Sequence, residues 1–196
     1  MFLPAHSRNR RPSADSATAG PVVPVVRLKV TLLELVPPVW RRFQVPANYT
    51  LRRLNAVLQQ LMGWRESHLH HFQIGDDVFG VPDGDSEKLK DSRWITLQDL
   101  LSRNTRRFFY AYASGDGWEH EVRIENIAEG DPTNQRPLCL AGERTCPPEA
   151  LGGPEGYVRM LEGHQDPRSA EGSLDPNFDP EAFDLEGINA ALAALR

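Results

Sequence analysis

Val26, Leu28, Val30 and Leu32 alternate with Arg27, Lys29 and Thr31. That period of two puts one side of a strand in a core and the other toward water. Pro37-Pro38 ends the run, because neither proline donates to a strand ladder. A second extended stretch spans Val39 to Val45 and stops at Pro46. Thr50 then offers a hydroxyl as a helix N-cap. Leu51, Leu54, Leu58 and Leu61 form one apolar stripe, Arg52 and Arg53 lie on its outer side, and Gly63 stands where a C-terminal cap belongs. His68 to Ile74 reads as a strand, and residues 75–92 as mostly loop. Thr96 caps a short helix through Leu97, Leu100 and Leu101.

Phe108, Tyr110 and Tyr112 alternate up to Ser114-Gly115-Asp116-Gly117, a strong turn signal. Trp118, His120, Val122 and Ile124 alternate beyond it with Glu119, Glu121, Arg123 and Glu125. The two runs predict a hairpin. Residues 128–156 carry few apolar periods and many Pro and Gly. A short helix is expected around Tyr157–Leu161, an exposed loop over 163–177, and a last helix capped by Asp184 with Leu185, Ile188, Leu192 and Leu195 as its stripe. No internal repeat is present. Strands first and mixed elements afterwards predict an α+β fold: one domain, a mainly antiparallel twisted sheet packed against a few helices.

Composition narrows the picture. The 196 residues suffice for one ordinary core, and 16 prolines exclude an all-helical bundle. Residues 1–21, rich in Ser, Ala, Arg and Pro, are expected to be a disordered tail before a domain over 22–196. No apolar run approaches the roughly 18–20 residues of a membrane span. The charged start has no apolar stretch behind it, so a cytoplasmic protein is expected. The net charge of -5 hides an asymmetry. Residues 1–65 carry ten basic and two acidic side chains, and the remainder twelve basic and 25 acidic. A basic third of that kind meets nucleic acid, an acidic protein partner, or the acidic part of its own chain.

Candidate chemistry is sparse. His68 and His70 are two apart, so a strand projects both to one side, where they can supply two ligands to zinc or another divalent metal. The plainer reading is a pair of hydrogen-bonded histidines beside the core. His71 points the other way. Asp116 and His120 resemble an acid–base pair, but four strand residues span roughly 13 Å. Asp116 is expected to shape the turn, and His120 to face inward, meeting His68 or His70 if their strands are neighbours. Glu149 can hold a cation or accept backbone amides, and the amides are favoured. Cys139 and Cys146 have six residues between them, a poor zinc spacing, so reduced structural thiols are expected over zinc or a disulfide. Trp40, Trp64 and Trp118 with Arg41, Arg42 and Arg65 would make a base-stacking patch. Tryptophans at the core edge under the stems of the arginines are the commoner arrangement. No Walker-type or Gly-x-Gly-x-x-Gly loop is present.

Several phrases in order are distinctive: Pro38-Val39-Trp40-Arg41-Arg42, Met62-Gly63-Trp64, Ser67-His68-Leu69-His70, Gly115-Asp116-Gly117-Trp118-Glu119-His120, Cys139-Leu140-Ala141-Gly142, Cys146-Pro147-Pro148-Glu149, Gly152-Gly153, Gly156-Tyr157 and Phe178-Asp179-Pro180. Together, over about residues 24–195, they resemble the plasmid pRiA4b ORF-3-like family, some of whose members are described as insertion-element passengers with a TnpR-like label. The resemblance implies an α+β domain without an established activity. It also implies acids after the strand tyrosine and after Pro-Pro-Glu, where this chain has Ala113 and Ala150. A serine recombinase would need a nucleophilic serine, supporting arginines and a DNA-reading helical module, which the sequence does not offer. The expected function is that of a mobile-element or plasmid-associated accessory or binding protein without cofactor. The alternative is a metal-dependent hydrolase or nuclease using His68, His70, Asp116, His120 and Glu149, with His68, His70 and His120 as ligands.

Overall fold

The computed structural model of the chain describes residues 23–65, 68–82, 88–113, 117–130, 135–165 and 178–195. The expected N-terminal tail, the turn residues Ser114, Gly115 and Asp116, and most of the expected 163–177 loop lie outside them.

The alternating runs form the strands they predict. β1 (Val25–Leu32) pairs antiparallel with β2 (Trp40–Pro46) on one side and with β7 (Trp118–Ala128) on the other. β6 (Arg107–Tyr112) and β7 make the expected hairpin. β3 (His70–Ile74) starts two residues later than the pattern suggests, so His68 and Leu69 precede it. Three strands were not legible. β4 (Asp77–Gly80) and β5 (Leu89–Asp91) fall inside the expected 75–92 loop, and β8 (Leu138–Glu143) inside the Pro/Gly-rich stretch. β4 and β5 are short, β8 is as long as β6, and in all three partners in the sheet satisfy backbone groups where no strong period exists to read.

The eight strands form one sheet in the order β5-β4-β3-β6-β7-β1-β2-β8. All neighbours are antiparallel except β4 and β5. The inner side carries Val26, Leu28, Val30, Phe43, Phe72, Phe108, Tyr110 and Val122, all buried. Against it lies α1 (Leu51–Met62), whose Thr50 hydroxyl accepts the Arg53 N–H and whose C-cap Gly63 takes φ +73°. Leu51, Leu54, Leu58 and Leu61 are buried, each contributing about 2 kcal/mol of apolar burial. α2 (Leu97–Ser102) starts with the Thr96–Asp99 capping box. α3 (Gly153–Gln165) is longer than the expected helix at both ends. α4 (Leu185–Ala193) begins at Asp184, whose carboxylate accepts the Gly187 N–H, and packs on β8 and α1. Its stripe is buried only at Leu192; Leu185, Ile188 and Leu195 lean partly buried on the core. The helical layer therefore covers the inner side. The outer side of the central strands carries Arg27, Lys29, Arg42, Arg107, Phe109 and Arg123, none of them buried.

Candidate functional site

A strap, Cys146–Gly153, crosses one end of the inner side and gathers side chains from distant parts of the chain. The Trp64 indole N–H donates to the Pro147 carbonyl at 2.9 Å, and the Trp118 indole N–H to the Glu149 carbonyl at 3.1 Å. The Tyr112 hydroxyl donates to Glu149 Oε1, and the Arg65 N–H to Glu149 Oε2 at 3.0 Å. His68 Nε2 stands 3.9 Å from Glu149 Oε1, and the His68 ring meets Tyr112 edge-on. Glu149 thus accepts the backbone amide that the sequence favours, and it meets His68 as well. Beside this cluster opens a cleft of about 440 Å3, bordered by His68, Leu69, Trp118, Glu149 and Gly152.

The histidines do not form the cluster that β3 and β7 as neighbours would have made. β6 lies between them, so the condition fails. His120 is fully buried; its Nδ1–H donates to the Tyr110 carbonyl at 3.1 Å, and its Nε2 has no partner among the described residues. Burial holds its pKa down at about 4, so the ring is neutral at pH 7. His70 is half-buried against Tyr110 and Phe72; burial, His71 and Arg52 lower it to about 4. His68 lies before the strand rather than on it. Asp116 lies outside the described residues. Among the described residues no three His, Cys, Asp or Glu side chains are placed to share a metal ion. Of the candidate acid–base residues, the structure unites His68 and Glu149, and it adds Tyr112.

Cys139 and Cys146 are free. Burial raises the Cys139 thiol and pushes Cys146 up to about 11, so both stay protonated.

The expected aromatic patch is divided between the two sides of the sheet. Trp64 and Trp118 are buried in the strap cluster, with Trp64 stacked on Tyr112 at 5.2 Å. Arg41 is buried too. Its guanidinium donates to Leu61 O, Trp40 O, Glu143 O and Arg144 O, at 2.8 to 3.3 Å, and packs against the Phe183 ring. A Cβ at Gly142 would stand 2.6 Å from Phe183, so this approach needs glycine there. Arg41 therefore ties β2, β8 and the end of α1 together, and it borders a cleft of about 800 Å3 with Trp64, Arg65 and Glu149. Arg65 uses its backbone N–H on Glu149. Trp40 and Arg42 are on the outer side.

There the register produces an arrangement invisible in the sequence. Arg107 pairs with Arg123, Arg123 with Lys29, and Lys29 with Arg42. Four cations run in one row across β6, β7, β1 and β2, about 14 Å from end to end at the usual strand spacing. Like charges directly opposite destabilise a sheet. Glu121 offsets part of this by accepting from Arg123 at 2.6 Å and from Arg107 at 3.4 Å, and Glu125 by accepting from Arg42 at 2.7 Å. These hydrogen bonds lower both carboxyl pKa values. Two residues along, the next row runs Phe109–Glu121–Thr31–Trp40, with a carboxylate and a hydroxyl between the two rings. Lys29 lies over the Trp40 ring at 4.4 Å and Arg42 at 5.3 Å, and Arg107 lies over Phe109 at 5.6 Å. Sequence reasoning reached Trp40 and Arg42 but missed Arg107, Phe109 and Arg123. Their alternation along β6 and β7 gives their side of the sheet; only the register gives the row.

Residues 24–187 match the sequence pattern of the plasmid pRiA4b ORF-3-like proteins. The chain belongs to the plasmid pRiA4b ORF-3-like family. It is 40% identical over 184 residues to the uncharacterized protein y4hQ of Sinorhizobium fredii (strain NBRC 101917 / NGR234), covering 89% of this chain and 93% of that one. Its fold is similar to the crystal structure of MM3350, a protein of unknown function from Methanosarcina mazei Go1. The TM-score is 0.73 at 33% identity, over 83% of this chain and 96% of the other. The relatives thus support the α+β fold and the membership.

Several phrases that mark this plasmid pRiA4b ORF-3-like protein as a sequence meet in space. Trp64, His68, Trp118 and Glu149 come from four of them and assemble at the strap. Ala113 and Ala150, where the resemblance leads one to expect acids, both border the His68–Glu149 cleft. Among the described residues no helix is long and apolar enough to cross a membrane.

Proposed function

We propose that this plasmid pRiA4b ORF-3-like protein is a binding module. It takes an anionic partner on the open side of its sheet and works in the cytoplasm, without a cofactor. The supporting observation is the row Arg107–Arg123–Lys29–Arg42, which costs stability as a set of like-charge neighbours and is left uncovered by the helical layer. Two of its members come from the basic N-terminal third. That third also meets the chain's own acids, as Arg42 does Glu125, and Glu121 meets Arg107 and Arg123, so two carboxylates stand against four cations in these pairs. Two free, protonated thiols agree with a reducing compartment.

The test is retention of the full chain on immobilised heparin. The expected result is salt-sensitive retention that Arg107→Glu with Arg123→Glu abolishes. Equal retention of the double variant overturns the reading.

One observation favours a second reading. His68 and Glu149 share a cleft, with the buried Tyr112 hydroxyl bonded to Glu149, and a divalent metal such as zinc held there by His68 and Glu149 would serve a hydrolase. Elemental mass spectrometry of tag-free protein tests it. About one equivalent of metal, lost in His68→Ala, supports this reading, and none above background removes it.

A further inference from the structure

The outer side of the sheet distinguishes among anionic partners, because aromatic rings stand beside both ends of its cation row. Resting on the binding reading above, we propose that the partner is single-stranded nucleic acid, its phosphates along Arg107, Arg123, Lys29 and Arg42 and its bases against Phe109 and Trp40.

Three features carry the choice. First, Phe109 and Trp40 stand two residues from Arg107 and Arg42 on the same strands, so each ring accompanies a cation about 7 Å away along the chain. A backbone-tracking row beside ring platforms is the arrangement by which open sheets hold unpaired bases. Second, Phe109 is 38% exposed although apolar. Trp40 is partly exposed and meets both Lys29 and Arg42 across its ring, so ring and cations form one patch. Third, the side is a sheet. Among the described residues no helix or hairpin projects from it to enter a major groove, and a duplex has its bases stacked away from such rings. A bare polyanion such as polyglutamate would use the cations and leave the rings without a role.

Glu121 and Glu125 fit the same reading. Each accepts from arginines of the row, and phosphates can take over those N–H groups. The exchange keeps the arginines extended and ordered before the strand arrives. It also limits affinity for a bare polyanion, since the carboxylates remain beside the phosphates.

The experiment is fluorescence anisotropy of the full chain with labelled 12-nucleotide oligo(U) and oligo(dT), the corresponding 12-base-pair duplex, and unlabelled polyglutamate as competitor. Binding of the single strands is expected, with log K falling against log salt at a slope of about -3 for four phosphate contacts. Arg123→Ala is expected to reduce the slope by about one contact. Phe109→Ala and Trp40→Ala are expected to weaken single-strand binding roughly tenfold at an unchanged slope, and Trp40→Phe to restore most of it. Arg53→Ala, on the opposite layer, is expected to change nothing. If duplex binds as tightly as single strand and the ring variants bind like wild type, the single-strand inference falls while the binding module stands. Equal competition by polyglutamate has the same meaning. Absence of binding to every polyanion at low salt overturns both. An Arg53→Ala loss equal to that of Arg123→Ala overturns the site.

Discussion

The Tyr112 hydroxyl donates to the Glu149 carboxylate, joining β6 to a strap 37 positions further along the chain. The same carboxylate accepts the Arg65 N–H, so one side chain holds a strand, the segment after α1 and the strap itself. Tyr112→Phe removes the hydroxyl donor and leaves the ring stack on Trp64. A hydrogen bond to a charged group contributes about 1.5–3 kcal/mol. Urea unfolding is expected to show a loss of that size at constant m-value.

Arg41 gives a larger loss. Its guanidinium serves four carbonyls from three parts of the fold, and each is left without that donor in Arg41→Met. A loss of about 3 kcal/mol or more is expected. Arg41→Lys is expected to recover little, because an ammonium lacks the planar fork that spans these positions. Thermal unfolding of both variants is the check.

Stability is also expected to fall in mild acid. His120 titrates near 6.5 when unfolded and at about 4 when folded, so below pH 6.5 the unfolded chain binds a proton that the native one does not. The contribution is complete above pH 6.5 and declines through that range toward pH 4, by on the order of 3 kcal/mol. His70 acts in the same direction. Urea midpoints at pH 7.5, 5.5 and 4.5 are expected to decrease in that order, and His120→Gln to flatten the trend. Glu121 and Glu125, with lowered pKa values, lose their contribution only at still lower pH.

Glu125→Gln separates stability from binding. The Arg42–Glu125 pair is a surface ion pair, and removing it is expected to change stability by less than about 1 kcal/mol. Freed of its carboxylate, Arg42 presents full charge to an anionic partner. Tighter binding in the anisotropy assay, at nearly unchanged thermal stability, is the expected outcome.

The sequence by itself determined the elements with strong local physics. Alternation fixed β1, β2, β6 and β7, and Thr50, Gly63, Thr96 and Asp184 marked helix ends, because caps and periods act within a few residues. The family was legible in its ordered phrases. Tertiary structure alone decided β4, β5 and β8, which carry no strong period; β8 in particular is satisfied by β2, far back along the chain. It decided that β6 separates His70 from His120, so that two of the expected ligands stand apart as neutral rings, one half-buried and one fully buried. It decided that Trp40 and Trp64, alike in the sequence beside arginines, lie on opposite sides of the sheet. The row Arg107–Arg123–Lys29–Arg42 is the clearest case. Each residue alternates legibly on its own strand, but a shift of one residue in any pairing would disperse the row, and register is set by how the whole inner side packs.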